Sequence, residues 1–287
     1  MSQVVRLGVV KAGCIGTLPI IEFLLDERAD RQDIDVRVIG AGAKMDPAHS
    51  EAVANEMISF KPDFALFISP NATVPGPAKG RQVLAAAGVP TIVVSDGPTK
   101  KIAKDLEAAG FGYIIIEADS MIGARREFLD PAEMAIFNAE IMKVLAVTGV
   151  FNLVCKELDR LVEQVKKGEK PQLPHLVINK ERAVAAAGFE NPYARAKAMA
   201  AHEASCKVAD LTVEGCFIVK EWERYTQIVA AAHEIMRGAA RLADEAREIE
   251  KGSDNVLRLP HHPDGTTLEK RKLIAKPERP QAQGSSS

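Results

Sequence analysis

Val4-Val-Arg-Leu-Gly-Val-Val10, running straight into Lys11-Ala-Gly-Cys-Ile-Gly16, is the stretch on which the reading of this chain turns. A nearly continuous apolar run ends in a glycine-rich turn. The same pattern returns at Phe64-Ala-Leu-Phe-Ile-Ser69 before Pro70-Asn-Ala-Thr-Val-Pro-Gly-Pro77, and at Thr91-Ile-Val-Val94 before Ser95-Asp-Gly-Pro-Thr99. Val/Ile/Leu/Phe runs of this length, separated by helix-length segments, are the mark of strands buried on both faces of a parallel sheet. Ile34–Gly40 and Tyr113–Ile116 complete a set of candidate strands, with helical patterns at 16–27, 47–59, 76–87 and 100–109. Crossovers of that length join parallel neighbours, so the expectation is a Rossmann-like, doubly wound α/β sheet.

In such sheets ligands bind beyond the carboxyl ends of the strands. Here those ends carry Gly, Pro, Asn and Ser, which supply backbone amides and close approach. The candidate ligand-holding positions are Gly13 and Gly16 after the first strand, Pro70, Asn71, Gly76 and Pro77 after the third, and Asp96, Gly97 and Pro98 after the fourth. No catalytic side chain is singled out. The loops suit a flat or phosphate-bearing ligand held by main chain, with the chemistry belonging largely to a cofactor. Lys11 and Lys44, with Lys79, Arg81, Lys100 and Lys101, suggest a basic rim for an anionic tail.

From Asp130 the texture changes. Asp130-Pro131 and Asn191-Pro192 each pair an N-cap with a proline at the first helical position. Segments near 131–148, 153–167, 192–208 and 226–251 read as helices, the last with an alanine-rich stripe expected to serve subunit contacts. His175–Ile178 and Leu211–Val219 read as short strands interrupting this bundle. Residues 256–274 read as a hairpin around Asp264-Gly265, with His261 and His262 in its turn. The expected division is residues 1–129 for the α/β part, 130–255 for a helical bundle, 256–278 for a small β-hairpin segment and 279–287 for a disordered tail.

The 287 residues carry a net charge of −2, which argues against a general nucleic-acid binder. No apolar run approaches the ~20 residues of a membrane span. Cys14, Cys155, Cys206 and Cys216 are too scattered for a staple or a zinc site, and a cytoplasmic protein with reduced thiols is expected. His233-Glu-Ile-Met-Arg237 lacks the second histidine of a zinc-protease helix, and no G-x-S-x-G elbow occurs. The spacing from Gly13 to Gly16 is GxxG rather than GxGxxG, and the second strand ends in Gly40-Ala-Gly-Ala-Lys44 without a carboxylate for a ribose diol, which disfavours a nicotinamide dinucleotide. Arg125 and Arg126, with Glu127, form an unusual cluster before the Asp130 cap. They suit bidentate recognition of a carboxylate or phosphate, or a salt-bridged junction between subunits or domains.

Longer words in the sequence resemble one family. Leu25-Asp-Glu-Arg-Ala-Asp30, Gly42-Ala-Lys-Met45, Lys61-Pro-Asp-Phe64, Ser69-Pro-Asn71, Pro75-Gly-Pro-Ala-Lys79 and Met121-Ile-Gly-Ala-Arg-Arg-Glu-Phe-Leu-Asp-Pro131 are similar to the archaeal F420-dependent methylenetetrahydromethanopterin dehydrogenases. Met134-Ala-Ile-Phe-Asn-Ala139, Phe189-Glu-Asn-Pro-Tyr193, Glu214-Gly-Cys-Phe217 and Leu242-Ala-Asp-Glu-Ala-Arg-Glu248 continue the likeness in order. The resemblance implies reversible hydride transfer between reduced coenzyme F420, an 8-hydroxy-5-deazaflavin, and methenyltetrahydromethanopterin. It further implies no metal, flavin or NAD(P), and a homohexamer built from dimers. Arg125, Arg126 and Glu127 become candidates for the pterin. The sequence departs from the family pattern at Cys14, where Asn is usual, at Ser95-Asp-Gly-Pro98, where Gly-Asp-Ala-Pro is usual, and at Ala72-Thr-Val74. These departures keep open a non-enzymatic binding homologue; a nicotinamide-dependent pterin dehydrogenase is a second enzyme reading, disfavoured by the missing carboxylate after the second strand.

Overall fold

A computed structural model describes residues 3–120 and 130–279. Six parallel strands form one sheet in the order β2-β1-β3-β4-β5-β6. They are β1 (Val5–Lys11), β2 (Ile34–Gly40), β3 (Phe64–Ile68), β4 (Thr91–Asp96), β5 (Gly112–Ile116) and β6 (His175–Ile178). β1 pairs with β2 from Val5↔Ile34 to Lys11↔Gly40 and with β3 from Leu7↔Phe64 to Lys11↔Ile68, so the order reverses beside β1. The helices of this half are α1 (Thr17–Leu25), α2 (Pro47–Phe60), α3 (Pro75–Ala86) and α4 (Ala103–Ala108), with a 3₁₀ turn over Gly97–Ile102.

The sheet is covered on both faces because its strands alternate two apolar sets. Val5, Leu7, Val9, Leu66, Val94 and Ile116 share a core with α1 and the bundle, whereas Val10, Ala65 and Phe67 pack with Met57 and Leu84 of α2 and α3. Val93, Tyr113 and Ile115 meet Leu106 of α4 on that second face. β3, β4 and β5 are buried throughout, as their unbroken apolar runs require. β2 is different: it is an edge strand, half-exposed along its length.

The bundle comprises α5 (Pro131–Val147), α6 (Val150–Lys166), α7 (Lys180–Ala187), α8 (Pro192–Val213) and α9 (Trp222–Gly252). The expected caps are in place. Asp130 accepts from the Glu133 amide at 2.7 Å and Asn191 from the Tyr193 amide at 2.8 Å. α5 and α6 meet at 68° across Gly149. No single described helix is long and apolar enough to cross a membrane.

Three expectations need correction. His175–Ile178 does not interrupt the bundle; it is β6, the far edge of the sheet beside β5. Leu211–Val219 is not a strand: α8 runs to Val213 and continues as a π turn over Glu214–Ile218. The local β-branched residues there are overridden by packing, since Gly215 lies so close to α9 that a Cβ would stand 2.7 Å from Val229. The alanine stripe of α9 is spent within the chain: Ala232, Ala239 and Ala243 are fully buried in the core that also holds Ala201 and Val208 of α8.

The C-terminal segment forms antiparallel bridges at Arg258↔Lys270, His261↔Thr267 and Glu269↔Glu278, with the turn at Gly265 (φ 85°). It is anchored by His261, which is fully buried. Nε2 of His261 lies 2.9 Å from Asp159 on α6, and Nδ1 lies 2.5 Å from Glu27 beyond α1. Of the expected tail, Arg279 pairs with Asp264 at 2.9 Å, and the remainder falls outside the described residues.

Candidate active site

The strand-end loops divide into a closed group and an open one. After β1, Gly13 adopts φ 91°, a conformation that L side chains rarely take, and a Cβ there would meet Met45 at 2.7 Å and Pro70 at 2.8 Å. Gly76, at the start of α3, sits so close to the Met45 carbonyl that a Cβ would fall 1.8 Å from it. Pro70 and Pro77 are buried, and Asn71 turns its Oδ1 to the Thr73 amide at 2.9 Å and to the Thr73 hydroxyl. These residues lock the β1, β2 and β3 loops together. Gly16 is also engaged: its amide donates to Asp119 Oδ1 at 2.8 Å.

Asp119 follows β5 and was not visible as a site residue in the sequence, because its partners lie about a hundred positions away. It is fully buried and receives the Gly16 and Thr17 amides, both at 2.8 Å, and the Thr17 hydroxyl. It therefore serves as the anion at the N-terminus of α1, the position where the glycine turn suggested a ligand phosphate. Burial pushes its carboxyl up to about 6, against the lowering effect of those three donors.

The open group lies at the ends of β4 and β5. Asp96, Gly97, Pro98, Lys100 and Lys101 line a cleft of ≈ 480 Å³, closed on the other side by Cys206, Asp210 and Val213 of α8. That volume lies within the range of small-molecule sites. A larger groove of ≈ 850 Å³ between α6, α7 and the C-terminal segment borders no strand-end loop. Asp96 closes β4 and is 2 % exposed, with Oδ1 buried and without a hydrogen-bond partner among the described residues. Desolvation, reinforced by the charge of Asp119, raises its carboxyl to about 8. Ser95, one of the departures from the family pattern, is buried and accepts from the Ala72 amide at 3.2 Å and from Thr99 at 2.7 Å, tying the β3 and β4 loops. Cys14 is half-buried and packs against the main core.

The basic rim is less positive than the sequence suggested. Lys100 is paired with Glu117 at 2.6 Å and Lys79 with Glu51 at 3.2 Å, while Lys44 contacts His49 at 2.9 Å. Arg81 donates to the Ala72 carbonyl at 2.7 Å, and burial lowers its pKa. Lys11 ends β1, half-buried. Arg125, Arg126 and Glu127 lie outside the described residues.

With this geometry in place, known proteins give the relationship. Residues 5–278 match the family model of methylene-5,6,7,8-tetrahydromethanopterin dehydrogenase. The chain belongs to that family. It is 56% identical over 276 residues to the F420-dependent methylenetetrahydromethanopterin dehydrogenase of Archaeoglobus fulgidus, covering 96% of this chain and 100% of that protein. The protein of the same description from Methanothermobacter marburgensis is 53% identical over the same span. A solved F420-dependent methylene-tetrahydromethanopterin dehydrogenase, in complex with methylene-tetrahydromethanopterin and coenzyme F420, superposes with a TM-score of 0.92 at 49% identity, covering 96% of this chain and 100% of that one. The family fold is thus the α/β sheet with helical bundle described above, and the resemblance read from the sequence words holds along nearly the whole chain.

Proposed function

We infer that this chain is an F420-dependent methylenetetrahydromethanopterin dehydrogenase, transferring hydride reversibly between coenzyme F420 and the one-carbon group of the pterin. The supporting observation is the family match over residues 5–278, together with a cleft at the carboxyl ends of β4 and β5. The deazaflavin, when bound, supplies the hydride donor or acceptor at its C5. Gly97 and Pro98 border the cleft with open space above Gly97, and Lys101 offers charge for an anionic tail, whereas Lys100 is already paired with Glu117. The residues fit the group.

The chain's own task is alignment. Two bound rings held at reactive distance gain an effective concentration of ~10⁵–10⁸ M, and a closed site keeps water from the cationic methenyl carbon. Asp96, Gly97 and Pro98 carry the cofactor side of this reading. Gly13, Gly16, Gly76, Pro70 and Pro77 support it from behind by fixing the loops, and Arg125, Arg126 and Glu127 are assigned to the pterin. The assembly is taken to be a homohexamer built from dimers, in the cytoplasm, with no nucleic-acid or membrane partner. The purified protein should oxidise reduced F420 with methenyltetrahydromethanopterin and give negligible rates with NADH or NADPH. Comparable turnover with either nicotinamide would overturn the cofactor assignment, and a monomer by light scattering at micromolar concentration would overturn the assembly.

A further inference from the structure

Asp96 ends β4 and Asp119 lies in the loop just beyond the adjacent β5, yet their surroundings differ. Asp119 holds three donors at the N-terminus of α1, which is what an ionised carboxylate needs. Asp96 is as deeply buried, but its Oδ1 has no donor among the described residues, and it faces the charge of Asp119. The nearby Thr99 hydroxyl does not help, since it donates to Ser95. When two carboxyls act on each other and one of them holds most of the donors, the other keeps its proton more readily. The neutral member is the one that borders the cleft.

The reaction consumes a proton that such a group can supply. Hydride leaves the methylene carbon of the pterin with its electron pair, breaking that C–H bond and forming a C–H bond at C5 of the oxidised deazaflavin. The electron pair displaced in the deazaflavin settles on N1 of its pyrimidine ring, which takes up one proton. Methylene pterin, oxidised deazaflavin and a proton thus give the methenyl cation and the reduced deazaflavin.

We propose that Asp96 carries this proton, giving it to the deazaflavin ring as hydride arrives at C5 and taking it back in the reverse direction. The assignment rests on the reading above that the cofactor lies in the β4–β5 cleft. Other titratable groups face the same cleft, and burial keeps the Cys206 thiol among them neutral. Lys100 and Lys101 of the 3₁₀ turn, Glu117 after β5, and Glu203, Cys206 and Asp210 of α8 line the same cleft, with Asp119 behind. A carboxyl at about 8 is protonated at neutral pH and ionises just above it, so it donates and accepts without a large penalty either way.

Infrared difference spectroscopy of the full-length protein tests the proposal without turnover. The wild type should show a neutral-carboxyl band that titrates near pH 8, is missing in Asp96→Asn, survives in Asp119→Asn, and shifts when oxidised F420 is added. Stopped-flow measurement should show Asp96→Asn slowing F420 reduction by methylenetetrahydromethanopterin ~10²–10⁴-fold at pH 7, with F420 affinity within about threefold of wild type. The fall of that rate as pH rises through about 8 should vanish in the variant. A missing neutral-carboxyl band, or a variant that keeps both rate and pH limb, overturns the proposal. A band that is present but unmoved by F420 overturns it through the cofactor's placement, while F420-dependent turnover of the wild type would leave the dehydrogenase reading standing. Should Asp96→Asn fail to fold, the wild-type band and its response to F420 decide the matter alone.

Discussion

The ionisable side chains gathered around His261 and those at the end of β4 are built on opposite principles. Around His261 the charges alternate: Glu27 and Asp159 flank the imidazole, Arg31 lies 3.7 Å from Asp159 and 2.8 Å from Asp33, and the Thr267 hydroxyl adds a bond to Asp159 at 2.7 Å. At the end of β4 like charges are set side by side, Asp96 against Asp119, with three donors for Asp119 and none for Oδ1 of Asp96 among the described residues. The first arrangement lowers the energy of the folded state and faces no strand-end cleft. The second leaves an unsatisfied group at the mouth of one. Proteins accept local conflict of this kind where it serves chemistry, and remove it elsewhere.

The largest effect should come from breaking the satisfied cluster. His261→Ala leaves Asp159 and Glu27 without their shared partner and should cost ~3–5 kcal/mol in denaturant unfolding, as removal of one member of a buried ion pair does. Burial pulls the imidazole pKa down, but Asp159 and Glu27 more than offset this and leave it raised. A raised folded pKa gives stabilisation that is complete below the ordinary histidine range and lost as pH rises through the folded value. The wild-type melting temperature should therefore fall from pH 6 upwards, and the His261→Ala variant should lack that component. Equal pH slopes in the two proteins would show that the imidazole is neutral in the fold.

Asp119→Ala should come next. It strands the Gly16 and Thr17 amides and the Thr17 hydroxyl at the start of α1, at a cost of ~1–3 kcal/mol. It also removes the charge that helps raise Asp96. The titration of the remaining carboxyl should shift below about 8, and a midpoint that does not move would mean that burial alone sets it.

Much of the first half could be read from sequence because its signals are local. Unbroken apolar runs at β1, β3, β4 and β5 announce buried parallel strands, and Asp130-Pro131 announces the start of α5. What failed was non-local. His175-Leu-Val-Ile178 is strand-like by composition, but nothing in its neighbourhood says that it completes a sheet begun 170 residues earlier. Gly13 and Gly76 signalled close approach correctly, yet the approaching atoms belong to Met45 and Pro70. Asp119 carries no motif, and its role appears only when α1 is placed above it. Asp96 was visible as the lone carboxylate of the ligand loops, but its unpartnered oxygen depends on packing that no spacing encodes.

The unsatisfied cluster should respond in the opposite direction from the satisfied one. Replacing Asp96 by Asn removes a group whose ionisation opposes folding, so the variant should be more stable than wild type at pH 9, by at least ~1–2 kcal/mol, with the difference shrinking as pH falls and vanishing only near the ordinary carboxylate range, about pH 4. Here too the folded pKa is raised, so this contribution to wild-type stability is complete only below the ordinary carboxylate range and is lost as pH climbs from there through about 8. A destabilised Asp96→Asn at pH 9 would place this residue among the structural carboxylates, beside Asp119.

The smallest effect should lie at the cleft's rim. Lys101 lines the cleft from the 3₁₀ turn after β4, whereas Lys44 stands beyond β2 in contact with His49. An exposed cation attracting an anionic tail contributes ~0.2–1 kcal/mol and is screened by salt. Lys101→Ala should raise the Michaelis constant for F420 about two- to fivefold at low ionic strength, leave turnover nearly unchanged, and lose most of its effect in high salt. Lys44→Ala should do less, because that side chain already has a partner and lies across the closed loops of β1 and β3 from the cleft. A larger effect from Lys44 than from Lys101 would move the cofactor tail back toward the reversal of strand order beside β1, and the contrast between closed and open strand ends would no longer locate the site.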